Sequence, residues 1–433
     1  MSSMTPAETL LVDTASSGPV LVLAESGDSA TSVTVSLFWI ALVAVISPLL
    51  SRMSRGYVPD AVLLLGSGIL IGPHALDVAS QDGIDVLSQL GLGMLFLLAG
   101  YELDPKLLGG RTGRIAQLSW LVSLLIALAA VTLVAVTLAL GLGETGFTAH
   151  VAVAIALSST ALGTLLPILK QAGLERTRLG RAVMAHGAVG ELGPVVAMSL
   201  LLTSRSIGAA VVVLLLFAIA ALLISAAPQR ILARVPGIGA AIREAAGGTV
   251  QLPVRVVVLL LVSLMTVASV FDLDVVLGAF AAGLILRRLI GPEHPQVGTS
   301  LEVIGFGILI PIFFVTSGMN IDVSAVASEP GLWVVLILAI AIARGGPVWA
   351  GAGRLDDGYF LRRPRERTQL AFFAATGLPI IVAVTQVAVS SELMSDELAS
   401  ILVAAGATTV LLFPLIARLI GRATPTAAPT TTS

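Results

Sequence analysis

The chain has 433 residues, of which 56% are hydrophobic and 12% are charged, and its formal net charge is -2. Soluble globular domains carry about 25% charged residues, so this composition excludes a soluble domain and indicates a polytopic membrane protein. The chain has no cysteine, which excludes disulfides, thiol nucleophiles and cysteine metal sites.

The two ends of the chain differ from the apolar middle. Residues 1–32 contain four acidic residues and no basic one, whereas a secretory signal begins with positive charge. We therefore predict a disordered external tail at 1–32. Residues 422–433, which include ATPTAAPTTTS, are predicted to form a cytoplasmic tail. The transmembrane domain is expected to span residues 33–421.

Apolar segments divide this domain into thirteen predicted spans, since a membrane helix needs about 20 apolar residues. The segments are 33–50, 58–75, 84–101, 115–141, 147–169, 180–203, 207–227, 252–271, 273–289, 299–319, 332–351, 368–390 and 397–420. Cytoplasmic loops of membrane proteins collect Lys and Arg. With the N-terminus outside, every basic residue except Arg205 and Arg344 falls on the cytoplasmic side. The charges thus predict an external N-terminus and a cytoplasmic C-terminus.

An odd number of spans allows a division into six, one and six. The first repeat would cover 33–203, a linker helix 207–227, and the second repeat 252–420. Because the linker crosses once, the two repeats start from opposite faces of the membrane. We expect an all-α fold with two inverted repeats and two discontinuous helices.

The fifth and twelfth spans correspond under this pairing, and both carry helix-breaking residues. The fifth reads AVAIALSSTALGTLLPILK and has Gly163 and Pro167; the twelfth has Thr376, Gly377 and Pro379. Discontinuous helices at matching positions of two halves indicate a transporter binding site.

Glu191 lies near the middle of the sixth span, in RAVMAHGAVGELGPVVAMSLLL. An ionisable group at that depth costs about 3 kcal/mol on insertion scales, so it indicates a functional site. Pro194 has no N–H, and we expect this to leave the Gly190 carbonyl free beside the carboxylate. Hydroxyl groups of the fifth span could add oxygen ligands: Ser158, Ser159 and Thr160.

Other interpretations of these residues stay open. Glu191 could be a structural partner of Arg344, the other deeply buried ionic residue. His186 could relay protons or be a neutral packing residue. Serine and threonine hydroxyls often bond their own helix backbone, and glycines in membrane helices often serve packing. No metal or phosphate motif occurs in the sequence, so no cofactor and no enzyme activity are expected.

Several segments together resemble the monovalent cation:proton antiporter-2 family. They are VPDAVLLLGSGILIGP, LSQLGLGMLFLLAGYELDPKLL, ALSSTALGTLL, LGAFAAGLILRR and PIFFVTSGM, spread over about residues 35–420. The resemblance implies a homodimer with a scaffold and a mobile core that holds two crossed, broken helices. It implies that Glu191 stands at the ion- and proton-binding aspartate, and Arg344 where many members carry a lysine. Gly190 stands where other members often have Asp, Asn or Gln.

These features predict an electroneutral antiporter that exchanges Na⁺ or K⁺ for protons in a bacterial plasma membrane, without nucleic-acid partners. One alternative is a carrier of the same fold for another solute, such as an organic anion held by Arg344. Another is a non-transporting membrane component in which Glu191 and Arg344 form a structural lock.

Overall fold

The computed structural model describes residues 19–54, 58–138, 146–175, 177–202, 207–234, 251–290, 295–354, 361 and 363–422. Within these ranges the regular structure is helical. The first half of the chain forms α1 (Pro19–Met53), α2 (Asp60–Ile71), α3 (Asp85–Glu102), α4 (Pro105–Leu108), α5 (Gly110–Leu138), α6 (Gly146–Leu157), α7 (Leu162–Gln171) and α8 (Arg178–Leu201), followed by α9 (Ile207–Arg234).

The second half contains two π-helical turns. Its helices are α10 (Gln251–Val270), α11 (Val275–Ile290), α12 (Pro295–Ile304), α13 (Ile310–Met319), α14 (Val323–Ser328), α15 (Pro330–Ile340), α16 (Gly346–Arg354), α17 (Pro364–Ala374), α18 (Leu378–Ser390) and α19 (Asp396–Arg422). One π-helical turn, Gly305–Leu309, joins α12 to α13, and the other, Ala341–Gly345, joins α15 to α16.

Each predicted span coincides with a helix or a pair of consecutive helices. Nine helices in the described residues are long and apolar enough to cross a membrane, and Asp60–Ile71 and Gly208–Leu222 are shorter apolar helices. The remaining two spans are α3 and α11. The fold class is confirmed: the chain is an all-helical polytopic membrane protein.

The prediction for the N-terminal tail is partly wrong, because α1 begins at Pro19 rather than near residue 33. Only the part from Ser32 onward is needed to cross a membrane, and counting apolar residues finds that part alone. The preceding residues contain the apolar run PVLVLA and no proline after Pro19, so the helix can extend backward. The predicted tail residues 1–18 and 423–433 lie outside the described residues.

The helices pack into two bundles. The first bundle combines α1, α2 and α3 with α10, α11, α12 and α13; the second combines α4 to α8 with α14 to α19. Each bundle thus takes three spans from each half of the chain. This arrangement is the one expected when two inverted repeats interlock. The linker helix α9 packs on α8, α10 and α11, and so contacts both bundles.

Close backbone contact holds the first bundle together. A Cβ atom on Gly100 of α3 or on Gly283 of α11 would overlap a backbone carbonyl oxygen of the other helix. Small residues allow such approach, and packing of this kind drives helix association in lipid. The boundary between the bundles is formed by α3 against α7, α8 against α11, and α2 against α19.

Candidate functional site

Two interrupted helices cross at the centre of the second bundle. The chain leaves helical structure between α6 and α7, and again between α17 and α18. The backbone N–H of Ala161 donates to the Thr376 carbonyl at 2.6 Å. The Thr160 hydroxyl donates to the Ala374 carbonyl. These bonds satisfy backbone groups that the interrupted helices leave without helical partners.

The position of the first interruption differs from the prediction. Gly163 and Pro167 lie inside α7, and the interruption comes before them, at residues 158–161. Pro167 is the sixth residue of α7, where its missing N–H removes one helical bond, to the Gly163 carbonyl, without ending the helix. Ser158 and Ser159, in contrast, donate to carbonyls of their own preceding turn. Those local bonds compete with continuation of the helix.

The second interruption lies where the sequence predicts it. Thr376 and Gly377 are in the non-helical segment, and Pro379 is in the first turn of α18, where its missing N–H costs little. A Cβ atom on Gly377 would overlap the Ser159 hydroxyl. Glycine at this position therefore lets the two interrupted segments meet.

Glu191 lies in the middle of α8, next to the N-terminus of α7. Its side chain is only 3% exposed. The backbone N–H of Leu162, the first residue of α7, donates to the carboxylate. Helix N-termini carry partial positive charge and favour an anion. The second oxygen, Oε2, has no hydrogen-bond partner among the described residues.

The expectation of a free Gly190 carbonyl is wrong. Pro194 does remove its helical partner, but the backbone N–H of Thr160 donates to the Gly190 carbonyl at 2.8 Å. The interruption between α6 and α7 brings this N–H to α8, which the sequence of α8 alone could not indicate. Gly190 therefore anchors the interrupted segment to α8.

Arg344 is fully buried in the π-helical turn between α15 and α16. Its Nε donates to the Thr160 hydroxyl at 2.9 Å, and its Nη2 donates to the His186 carbonyl at 2.8 Å. The third nitrogen, Nη1, has no hydrogen-bond partner among the described residues. A Cβ atom on Gly190 would overlap both Thr160 and the guanidinium. The glycine leaves the space that Arg344 occupies.

Arg344 and Glu191 do not form an ion pair. No nitrogen of Arg344 lies within 4.0 Å of a Glu191 oxygen, although both residues are described. The guanidinium instead binds the two elements that flank the carboxylate, the interrupted segment and the preceding turn of α8. Arg344 thus positions the site without neutralising it directly.

His186 is buried on α8, and its Nδ1 has no hydrogen-bond partner among the described residues. Its backbone carbonyl, rather than its ring, takes part in the site by accepting from Arg344. This geometry fits a packing histidine better than a proton relay.

Glu102 is a second carboxylate near the site, which the sequence reasoning missed. It ends α3 in the first bundle, and its charge acts on Glu191 across the boundary between the bundles. Arg287 of α11 donates to the carbonyls of Tyr101 and Glu102 at 2.8 and 3.0 Å. The segment LLAGYELDP has this acid after an apolar run, which could have drawn attention to Glu102. The linear sequence does not place that acid beside α8.

Comparison with known proteins identifies similar chains. The family described as "Sodium/hydrogen exchanger, transmembrane" matches residues 40–422. A putative Na⁺/H⁺ antiporter of Bacillus subtilis is 24% identical over 72% of this chain and 52% of its own length. Cation/H⁺ antiporter 19 of Arabidopsis thaliana is 25% identical over 86% of this chain and 47% of its own length. The chain therefore spans about half the length of these two relatives.

The fold also matches a solved structure. The sodium proton antiporter MjNhaP1 of Methanocaldococcus jannaschii superimposes with a TM-score of 0.62, covering 90% of this chain and 98% of that one. Sequence identity between the two is 17%, so the likeness concerns the arrangement of helices.

Proposed function

The chain belongs to the sodium/hydrogen exchanger family, and from this we propose that it exchanges a monovalent cation, Na⁺ or K⁺, for protons across the membrane. The observation that carries the proposal is the buried Glu191 carboxylate at the N-terminus of α7, one oxygen of which has no hydrogen-bond partner in the part of the chain that the structure describes. An acid held in this way can take up a proton or a cation in its place. The names of the similar antiporters from Bacillus subtilis and Arabidopsis thaliana support the same reaction.

In the proposed cycle, Glu191 holds either a proton or one cation. Oxygen ligands suit hard cations of this kind. The hydroxyls of Ser158 and Ser159 donate their hydrogens to carbonyls, and each retains acceptor capacity that a cation could use. The Thr160 hydroxyl has less capacity, because it also accepts from Arg344 Nε. The Gly190 carbonyl has less capacity, because it already accepts from Thr160.

We propose one proton per cation, and therefore electroneutral exchange. Arginine stays protonated in proteins, so Arg344 contributes the same charge throughout. Protonated Glu191 and cation-bound Glu191 are both neutral, and the second bundle would carry the same charge in either state. Glu102 belongs to the first bundle. Its charge would not move with Glu191, so it would not change the charge that the second bundle carries.

The division into two bundles suggests which part moves. The second bundle contains the crossing, Glu191 and Arg344, and internal hydrogen bonds tie these elements together. Movement of that bundle against the first would expose Glu191 alternately to the two sides. In a membrane this is the usual form of alternating access in inverted-repeat carriers.

The alternatives are less well supported by this geometry. A carrier for an organic anion would need Arg344 to be accessible, but the guanidinium is fully buried and two of its nitrogens bond within the bundle. A structural lock between Glu191 and Arg344 would need the two to pair, and they do not. We also propose the bacterial plasma membrane as the location, with the N-terminus outside and a homodimer as the working unit.

Transport in everted membrane vesicles tests the proposal. After a pH gradient is established, adding Na⁺ or K⁺ should collapse it without generating a membrane potential. A gradient that responds to neither cation, but collapses on adding a carboxylate solute, would support the anion carrier instead.

A further inference from the structure

A cavity of 430 Å³ lies at the predicted external end of the boundary between the bundles. On one side it is lined by residues of the second bundle, including Thr148, Ser199 and Ser391. On the other side it is lined by the connection between α10 and α11, which carries Asp272 and Asp274. Both bundles thus contribute polar side chains to the same space.

The cavity lies over the face of α8 that carries Glu191. The residues of α8 that line it are Met198, Ser199 and Leu202, which follow Glu191 by seven, eight and eleven positions. These spacings return to one face of an α-helix. Eight residues correspond to about 12 Å along the axis. Val195 is buried on the same face, between the level of the cavity and that of the carboxylate.

Asp274 has a structural role, as the cap of α11, besides its place in the cavity lining. Its Oδ1 accepts from the backbone N–H of Val276 at 2.7 Å and so caps α11. Aspartate caps a helix as well as serine or asparagine does, and its charge also suits a helix N-terminus. Burial raises the pKa of the Asp274 carboxyl to about 6. Capping occupies Oδ1, and Asp274 also lines the cavity, so its structural role is compatible with a role in binding.

Ser199 provides an independent observation. Its side chain is 3% exposed, and its hydroxyl has no hydrogen-bond partner among the described residues. A buried hydroxyl without a partner costs free energy unless a ligand or water satisfies it. Ser199 and Asp274 both belong to the lining of this cavity, and a hydroxyl oxygen and a carboxylate form a donor set suited to a small cation.

We propose that this cavity is an external waiting site, in which Asp274 and Ser199 hold one Na⁺ or K⁺ before it passes to Glu191. The inference rests on the proposed exchange function and adds the external half of the path. The cation would be neutralised by one carboxylate here and by another at Glu191. Movement of the second bundle against the first would shift this face of α8, Val195 included, relative to α11 and open the connection.

Transport from defined sides of the membrane tests this site. Asp274→Asn keeps an oxygen that can cap α11 but removes the charge. We expect its KM for external Na⁺ and K⁺ to rise about tenfold, which is about 1.4 kcal/mol, with an unchanged maximal rate and an unchanged KM from the cytoplasmic side. The matched control is Asp82→Asn, which removes an exposed acid outside the cavity lining. An equal effect on both sides, or in both variants, would overturn the proposal.

The absence of native cysteine allows a second test. Ser391→Cys, at an exposed position of the cavity lining, should react with a membrane-impermeant, positively charged methanethiosulfonate added from outside, and Na⁺ or K⁺ should slow the reaction severalfold. Labelling that ignores both cations would overturn the waiting site. If the wild-type chain exchanged neither cation while both still protected Cys at this position, the proposed function would fail and the cavity site would stand.

Discussion

The Nε of Arg344 donates to the Thr160 hydroxyl at 2.9 Å, and this bond joins the π-helical turn in the second repeat to the interrupted helix in the first. The same hydroxyl donates onward to the Ala374 carbonyl. Thr160 thus connects α17, the interruption before α7, and the buried guanidinium of Arg344. Because the Thr160 N–H also binds Gly190, the position of Glu191 depends on this junction.

Replacing Thr160 should therefore destabilise the protein more than replacing a neighbouring serine. Thr160→Val keeps the shape of the side chain but loses both hydroxyl bonds, one of them to a charged group. We expect a loss of about 2–3 kcal/mol. Ser158→Ala is the matched control, because its hydroxyl donates only to Ile155 in its own helix. Thermal unfolding of the purified protein in detergent measures both. Equal midpoints for the two variants would contradict the proposed junction.

We expect lysine at position 344 to lower both stability and exchange. An ammonium lacks the planar fork of a guanidinium, so Arg344→Lys can keep only one of the bonds to Thr160 and His186. We expect a loss of about 2 kcal/mol in stability and a lower rate of exchange. Arg288→Lys, at an exposed position on α11, is the control and should behave as the wild type. Full activity and stability in Arg344→Lys would show that charge alone is needed at this position.

Gly190 should tolerate no side chain while Arg344 is present. A Cβ atom there would overlap Thr160 and the guanidinium, so Gly190→Ala should cost about 1–3 kcal/mol through overpacking. A Cβ atom on Gly163 would meet no neighbouring atom of the described residues within 4 Å, and Gly163→Ala in α7 should be neutral or slightly stabilising. If the unfolding midpoints ranked the two variants in the opposite order, this would contradict the conclusion that Gly190 makes room for the Arg344 guanidinium.

The external waiting site predicts a dependence on external pH. The raised pKa of Asp274, about 6, means that this carboxyl becomes neutral as the pH falls through 6, where an ordinary exposed aspartate stays charged. External cation affinity should therefore weaken below pH 6. Among the described residues that line the cavity, Asp272 is the other ionisable one, and those from α6, α8 and α18 are uncharged. Sided KM measurements between pH 5 and 8 should reveal a step in the wild type that Asp274→Asn lacks.

The spans and the central acid could be predicted because they depend on local sequence. Apolar length marks the membrane helices, and an acid such as Glu191 in an apolar helix is conspicuous. The contacts of Gly190 and Arg344 could not be predicted, because they depend on how an interrupted helix meets another element. Pro194 indicates that the Gly190 carbonyl loses one partner, but only the fold shows that Thr160 supplies another. Glu102 likewise lies far from Glu191 in sequence, and its charge acts on Glu191 across the bundle boundary.

Exchange by Glu191→Gln in proteoliposomes tests the central claim most directly, with Glu191→Asp as the variant that keeps a carboxylate. Glutamine keeps the size and the acceptor for the Leu162 N–H but cannot exchange a proton for a cation. We predict that purified Glu191→Gln keeps the wild-type unfolding midpoint and loses at least about 99% of Na⁺- or K⁺-driven proton movement, a difference of about 2.7 kcal/mol or more in activation free energy, whereas Glu191→Asp retains measurable exchange. Proton movement at a comparable rate in Glu191→Gln would contradict the account.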